Sequence, residues 1–349
     1  MKLTFRRFDL QLAHAWAVSS NAATGGKSFY PTVFVELSDD AGVRGIGECA
    51  PSARYHDTSD TVLAFLGKVN PARLAFDDVP GSMAYLETVA PGNYAAKCAL
   101  NVALLDGAAA RAGRALHEMW ELGFTEGRHV TSYSIGIASP EKIREKVLLA
   151  AAYPILKLKV GSPDDRANLA ALREVAPEKI VRVDANEAWR TKEEALQNIE
   201  WLAADGRIEF VEQPMPAATG LADLRWLRER SPLPLFADES YRGAEDAARC
   251  AEGFHGVNVK LAKTAGLTGA REALQAALRA GLQTMLGCMI ESSLLITAAA
   301  HLAELTDHLD LDTHLLITND PYRGVTAEQG MISFANTPRQ TGLGVEERR

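Results

Sequence analysis

Residues 155–260 contain ILKLK (155–159), IVRVD (180–184), IEFVE (208–212), PLFAD (234–238) and GVNVK (256–260). Each is a short, mostly apolar run ending on a lysine or a carboxylate, and the ends are 25, 28, 26 and 22 residues apart. One strand plus one crossover helix occupies about that length, so the stretch reads as consecutive βα units of a parallel sheet. The intervening segments DDRANLAALREVA (164–176), KEEALQNIEWLAAD (192–205) and AREALQAALRA (270–280) have helical composition. TSYSIGI (131–137) precedes the series, and TMLGCMIE (284–291) and LDLD (309–312) extend it to eight strands, the last near 309–317. Buried parallel strands are rich in Val, Ile and Phe, as these are. If the sheet closes, all strand ends surround one mouth. Lys159, Asp184, Glu212, Asp238 and Lys260, distant in sequence, then face one cavity.

The segments before the series differ. TVFVEL (32–37) and VRGIGEC (43–49) alternate with a two-residue period around the turn-forming SDDAG (38–42), which predicts antiparallel strands within residues 2–50. VSSNAATGGKSFY (18–30) is small, polar and glycine-bearing and reads as a mobile loop. Residues 57–121 read as helical, with an amphipathic helix in YAAKCALNVALLDGAAARAG (94–113) where Asn101 and Asp106 are internal exceptions. The expected organisation is an α+β module over 1–125, a barrel over 126–320, and a segment over 321–349 that packs back on the module.

Composition narrows the function. The chain has 349 residues, 47% of them hydrophobic and 23% charged, with a net charge of −8. That acidic balance, without a basic run, argues against nucleic-acid binding. The four cysteines form no CxxC pair, which disfavours a zinc–thiolate site and suits a reducing compartment. The N-terminus lacks a signal-peptide core, and no apolar run is long enough to span a membrane. The expected location is cytoplasmic. An acidic closed barrel is compatible with a monomer or a homo-oligomer.

Asp184, Glu212 and Asp238 end three consecutive strands. Neighbouring strands lie about 4.8 Å apart. Three carboxylates that close cannot all stay ionised without a cation. Oxygen ligands of this kind suit a hard divalent ion, Mg²⁺ first and Mn²⁺ as a substitute. Lys157 and Lys159 share one face of their strand, and Lys260 lies four strands away. Adjacent ammonium groups and a nearby cation depress a lysine pKa, and a lysine near 7–8 can act as a general base. A metal flanked by opposed lysines suits removal of a proton α to a carboxylate, with the metal and Lys157 stabilising the enediolate that forms.

LKLK (156–159), VDAN (183–186), VEQP (211–214), ADES (237–240) and VNVK (257–260), in that order, together with GLGVE (342–346), resemble the enolase superfamily in its muconate-lactonizing-enzyme-like subgroup. The resemblance covers nearly the whole chain and implies an α/β fold, a modified TIM barrel (β/α)₇β with an N-terminal α+β capping domain. It implies Mg²⁺ on Asp184, Glu212 and Asp238, with Lys159 and Lys260 as the acid/base pair supported by Lys157. Asn186 and Glu239 would stand just behind them.

Within that subgroup the last strand discriminates. Asp310 and Asp312 lie two residues apart and so share a strand face, offering two carboxylates to a cation. The chain resembles the dipeptide epimerases, in which such a pair holds the substrate's α-ammonium. GCMIESS (287–293), with Met289, is similar to theirs as well. The implied substrate is a small dipeptide, epimerised at the α-carbon of its C-terminal residue by two-base proton transfer. Related activities are o-succinylbenzoate synthesis and N-acylamino acid racemisation, and a catalytically inactive binding protein is a further alternative. Enzymes of this kind acting on Ala-Glu peptides use an arginine in the first-module loop, and LAHAWAVSSN (12–21) has none. Lys27, Arg54 or His56 would be the substitutes there, while Trp16, Phe29 and Tyr55 would favour an apolar residue.

Overall fold

The computed structural model describes residues 1–348. Three antiparallel strands, β1 (Lys2–Trp16), β2 (Lys27–Ser38) and β3 (Arg44–Cys49), form the N-terminal sheet in the order β1-β2-β3. Helices α1 (Ser59–Leu66), α2 (Val79–Val89), α3 (Tyr94–Arg111) and the short α4 (Leu116–Met119) follow.

The remainder alternates strictly. It runs β4 (Tyr133–Ile135), α5 (Pro140–Leu149), β5 (Ile155–Lys159), α6 (Asp165–Val175), β6 (Ile180–Asp184), α7 (Lys192–Ala203), β7 (Ile208–Glu212) and α8 (Leu221–Arg230). It continues with β8 (Leu235–Ala237), α9 (Ala247–Gly253), β9 (Gly256–Val259), α10 (Leu267–Arg279), β10 (Gln283–Gly287), α11 (Ser293–Ala300) and β11 (His308–Asp310). β4 to β11 form one eight-stranded parallel sheet in sequential order. Ser132 N–H donates to Leu309 O at 3.2 Å beside a parallel bridge from Thr131 to Leu309, which joins the first strand to the last. This is the expected (β/α)₇β barrel with its α+β cap. No helix among the described residues is long and apolar enough to cross a membrane.

Strand alternation sorts the barrel interior into layers. Phe210 and Phe236 stack at 4.2 Å near the floor, with Met285 beside them. Two residues further along the same strands, Glu212 and Asp238 point inward at the mouth. The floor is therefore largely aromatic, with Arg182 packed 5.4 Å from the Phe210 ring and paired to Glu209 at 2.6 Å, while the carboxylates and lysines that face the cavity lie at the C-terminal rim.

Two expectations about the cap need correction. α3 is not amphipathic in use: all its residues from Ala95 to Gly107 are buried. One face packs on β3 and the other meets the barrel, where Asn101 exchanges hydrogen bonds of 2.9 and 3.1 Å with Thr268. Asp106 accepts from Ile46 N–H at 3.0 Å and from Leu343 N–H at 2.8 Å, joining β3 to the C-terminal segment. The polar exceptions in this helix are thus satisfied tertiary contacts. Second, residues 18–30 are not a loop throughout. Lys27–Tyr30 belong to β2, and the preceding turn is docked on the barrel through Ile137 N–H to Ala17 O and Ser19 Oγ–H to Asn186 O, each 2.9 Å. Its small residues serve turn geometry: Gly26 has φ +78°, and a Cβ there would meet Trp16 O at 2.3 Å.

β3 and α3 approach more closely than side chains allow. A Cβ on Gly47 would lie 2.0 Å from Ala99 O, and one on Gly45 2.0 Å from Ala103 O. Gly47→Ala is expected to lower the urea midpoint of unfolding, with a loss of about 1–3 kcal/mol from overpacking against backbone.

Burial also sets a pH dependence. Glu48 on β3 accepts from Ser292 N–H, Ser292 Oγ–H, Thr32 Oγ1–H and Leu295 N–H, yet burial without a cation raises its pKa to about 7. Burial likewise raises Glu291 to about 8, where Met289 N–H is its donor. Such acids bind protons more tightly folded than unfolded. Their contribution is complete below the unfolded carboxyl pKa and is lost as pH rises through the folded value. Stability measured by urea unfolding is expected to fall between about pH 5 and pH 8. Glu291→Gln should make that fall shallower, by up to about 1.4 kcal/mol per pH unit.

Candidate active site

At the barrel mouth the ends of six strands contribute a dense ionic cluster. Lys159 Nζ donates to Asp184 Oδ2 at 2.6 Å, and Lys260 Nζ donates to Asp238 Oδ2 at 2.8 Å. Lys157 Nζ lies 2.6 Å from Asp310 Oδ2, 2.7 Å from Glu212 Oε2 and 3.2 Å from Asp184 Oδ2. All of these groups are buried. Asp184, Glu212 and Asp238 each offer one oxygen, and these lie within 4.8 Å of one another. Glu212 Oε1 accepts from Asn258 Nδ2 at 2.8 Å, whereas Glu212 Oε2, poorly aligned with Lys157, has no hydrogen-bond partner among the described residues. A buried, underused carboxylate oxygen beside two more carboxylates fits a hard divalent cation in an all-oxygen site.

The cluster's electrostatics follow from burial and pairing. Burial alone would raise Asp184 and Asp238, but Lys159 and Lys157 hold the first low, and Lys260 with Lys263 hold the second well below the carboxylate range. Glu212 is pushed up to about 7 by burial and by Asp184. The lysines depart from expectation. Burial pushes Lys157 and Lys260 down, but adjacent carboxylates outweigh it and raise both above the usual lysine value. The expected lowering was for the neighbouring Lys157 and Lys159 beside a bound cation. Instead each ammonium faces Asp310, Glu212 or Asp238 at contact distance, and opposite charge dominates at that range.

Asp310 and Asp312 are placed together but not alike. Asp310 accepts from Ser132 Oγ–H at 2.7 Å and from Lys157, so both its oxygens are engaged, and its pKa is held at about 2 despite burial. Asp312 accepts from Ser134 N–H at 2.6 Å, and burial with the Asp310 charge raises it to about 7. Asp312 therefore lacks a cationic counterpart of its own.

Around these groups lies a cavity of about 470 Å³, roofed by the cap. It is lined by the three lysines, Asp238, Asp310 and Asp312, and also by Lys27, Arg54, Tyr55 and Met289 from the expected set. Asn186 and Glu239 line it too, joined by a 3.3 Å hydrogen bond from Asn186 Nδ2 to Glu239 Oε1. Arg54 is not available as expected: Nε and Nη2 each donate at 2.7 Å to the Glu187 carboxylate, which clasps a cap turn to the loop after β6. His56 and Phe29 do not reach the cavity.

Some contributors escaped the sequence reading. Lys263 is buried and donates to Asp238 Oδ1, Asp238 O and Asn258 O at 2.7–2.8 Å, so it secures Asp238 from behind. Its spacing from Lys260, in KLAK (260–263), was the available signal. Ser132 and Ser134 alternate in TSYSIGI and both meet the acids of β11. Glu187 carried no signal, because its role depends on a φ of +66° at a turn.

Comparison with known proteins agrees with this geometry. Residues 11–120 match the mandelate racemase / muconate lactonizing enzyme N-terminal domain, and residues 142–349 match the enolase C-terminal domain-like family. The chain is 56% identical to the L-Ala-D/L-amino acid epimerase of Pedosphaera parvula, across 99% of both chains. It is 34% identical to the hydrophobic dipeptide epimerase of Roseobacter litoralis, across 98% of this chain and 99% of that one. The substrate-liganded L-Ala-D/L-Glu epimerase of Bacillus subtilis superposes with a TM-score of 0.90 at 29% identity, across 99% of this chain and 98% of that one. The dipeptide epimerase of Cytophaga hutchinsonii, solved with Mg and D-Ala-L-Val, superposes at 0.89 with 28% identity, across 99% and 95%. With three buried acids on successive strand ends, lysines facing each other across the mouth and both domain families matched in order, the chain belongs to the enolase superfamily, in its mandelate racemase / muconate lactonizing enzyme group.

Proposed function

We propose that this protein is a dipeptide epimerase that inverts the α-carbon of the C-terminal residue by 1,1-proton transfer. The observation that carries this reading is the pairing of opposed lysines, Lys159 on β5 and Lys260 beyond β9, with a second acidic site at Asp310 and Asp312 across the same cavity. Relatives named as dipeptide epimerases, and neighbours solved with Mg and dipeptides, support it.

Asp184, Glu212 and Asp238 would hold Mg²⁺, which when bound neutralises the substrate carboxylate and makes its α-proton more acidic. Lys159 takes the α-proton from one face and Lys260 returns one to the other, with the roles exchanged for the opposite epimer. Lys157, buried among three carboxylates, keeps positive charge beside the developing enediolate. Asp312, the acid without its own cation, accepts the substrate ammonium, and Asp310 anchors Lys157 next to it. The Arg54–Glu187 clasp holds the cap turn over the mouth and so limits water around the reacting carbon. Four buried, unpaired cysteines among the described residues suit a reducing cytoplasm, where we place the enzyme.

The test is α-proton exchange in deuterated water over a dipeptide library with Mg²⁺ present, read by mass spectrometry. Loss of the ammonium site should separate this reading from racemisation of an N-acylated amino acid. Asp312→Asn is expected to raise KM for a free dipeptide about tenfold to a hundredfold, the scale of a buried charge-assisted hydrogen bond. N-acetylated dipeptides should be poor substrates for the wild type and insensitive to the change.

A further inference from the structure

The direction of the substrate side chain follows from the placement of the other groups, and this step rests on the epimerase reading. Lys159 and Lys260 are four strands apart in a ring of eight, so the line between them divides the mouth. The acids of β6, β7 and β8 lie on one side, and Asp310 and Asp312 on the other. When the α-carbon is planar, its three heavy substituents lie perpendicular to that line. The carboxylate takes the side of the three acids, and the nitrogen takes the side of Asp312. The third substituent, the side chain, is left with the direction out of the mouth, into the cap.

Two aromatic side chains, Trp16 and Tyr55, line the cavity there. The Trp16 ring centroid is 6.0 Å from Lys159 Nζ. Tyr55 lines the same cavity as Lys260 and Asp238. Val18, Tyr30 and Ile290 complete the wall. Of its cations, Arg54 is bound by Glu187, and Lys27, 5.4 Å from the Tyr30 ring centre, makes no carboxylate contact among the described residues. The Arg54 and Arg242 guanidiniums lie 5.9 and 5.7 Å from the Tyr55 ring centre, which opposes a second cation there.

We infer that the epimerised residue carries an apolar side chain, held between Trp16 and Tyr55, and that Trp16 determines this preference. A carboxylate side chain would lose its hydration on a wall where Arg54 is already paired and only Lys27 is left to meet it, whereas an aliphatic or aromatic one buries apolar surface against two rings.

The experiment presents L-Ala-L-Phe, L-Ala-L-Leu, L-Ala-L-Glu and L-Ala-L-Lys to the Mg²⁺-loaded enzyme in deuterated water and compares kcat/KM for α-proton exchange. The apolar pair should exceed the charged pair at least about tenfold. Trp16→Ala should raise KM for L-Ala-L-Phe about tenfold more than KM for L-Ala-L-Ala, and Tyr55→Ala should do the same. Equal or faster exchange of L-Ala-L-Glu, with that activity lost in Lys27→Met, overturns the inference in favour of a bound carboxylate. Preference for L-Ala-L-Lys overturns it as well, as does an equal effect of both aromatic substitutions on the two peptides. Exchange in none of the four overturns the epimerase reading and this inference with it.

Discussion

Lys159→Ala is expected to abolish epimerisation of a dipeptide while leaving α-proton exchange intact for one of its two epimers. The surviving exchange is the one served by Lys260, which still faces its own side of the α-carbon and still equilibrates its proton with solvent. Lys260→Ala should give the mirror pattern, with exchange retained only for the other epimer. The inverting turnover should fall by about 10³-fold or more in each variant, within the range for removal of a positioned acid or base. A purely structural role predicts something different. If the lysines only balanced the carboxylates of Asp184 and Asp238, either substitution would reduce exchange from both epimers equally, because each would leave a buried acid unpaired. Proton NMR of each pure epimer in deuterated water distinguishes the two outcomes, and far-ultraviolet circular dichroism establishes that the variants are folded.

Glu212→Gln is expected to remove the stabilisation that Mg²⁺ confers and to lower turnover by several orders of magnitude. Binding to the folded state alone adds about 2.7 kcal/mol at a hundredfold excess of ion over its dissociation constant. The wild type should therefore melt at higher temperature with Mg²⁺ than with a chelator, and the variant should melt at the same temperature in both. Glu212 is the informative member of the three. Its pKa is pushed up to about 7, and it shares Lys157 with Asp184 and Asp310, so the neutral amide still leaves that lysine two carboxylates. Asp238→Asn is a harsher change, because Lys260 and Lys263 both depend on that carboxylate. Scanning calorimetry with and without Mg²⁺ provides a readout independent of catalysis. A variant that retains the full shift would place the ion elsewhere.

The strand ends were legible because two regularities coincide there. Side chains alternate along a strand, and βα units repeat at a nearly constant length, so Lys159, Asp184, Glu212, Asp238 and Lys260 could be placed on one rim without coordinates. What failed was everything that depends on partners from other segments. In residues 18–30, asparagine, serine and glycine have the composition of a mobile loop, yet Asn21 Oδ1 accepts from Val18 N–H at 2.8 Å and Ser19 reaches Asn186 on the barrel. In α3, Asp106 stood out as a polar exception with no visible partner, and its acceptors are filled by β3 and the C-terminal segment. The raised pKa values of Lys157 and Lys260 have the same origin. Neighbouring lysines are visible in one strand, while the carboxylates opposite them come from β6, β7, β8 and β11. Arg54 illustrates it at a single residue, since only the fold reveals that Glu187 has claimed it.

The helix buried between the cap sheet and the barrel has a consequence for dissecting this chain. α3 has no outward face to present to water, so a fragment carrying it would bare one apolar flank and a fragment lacking it would bare another. Expressed apart, the two halves should precipitate or be captured by chaperones. Recombining selectivity loops from relatives should be practical only by grafting the short turns around Trp16 and Tyr55 into an intact host.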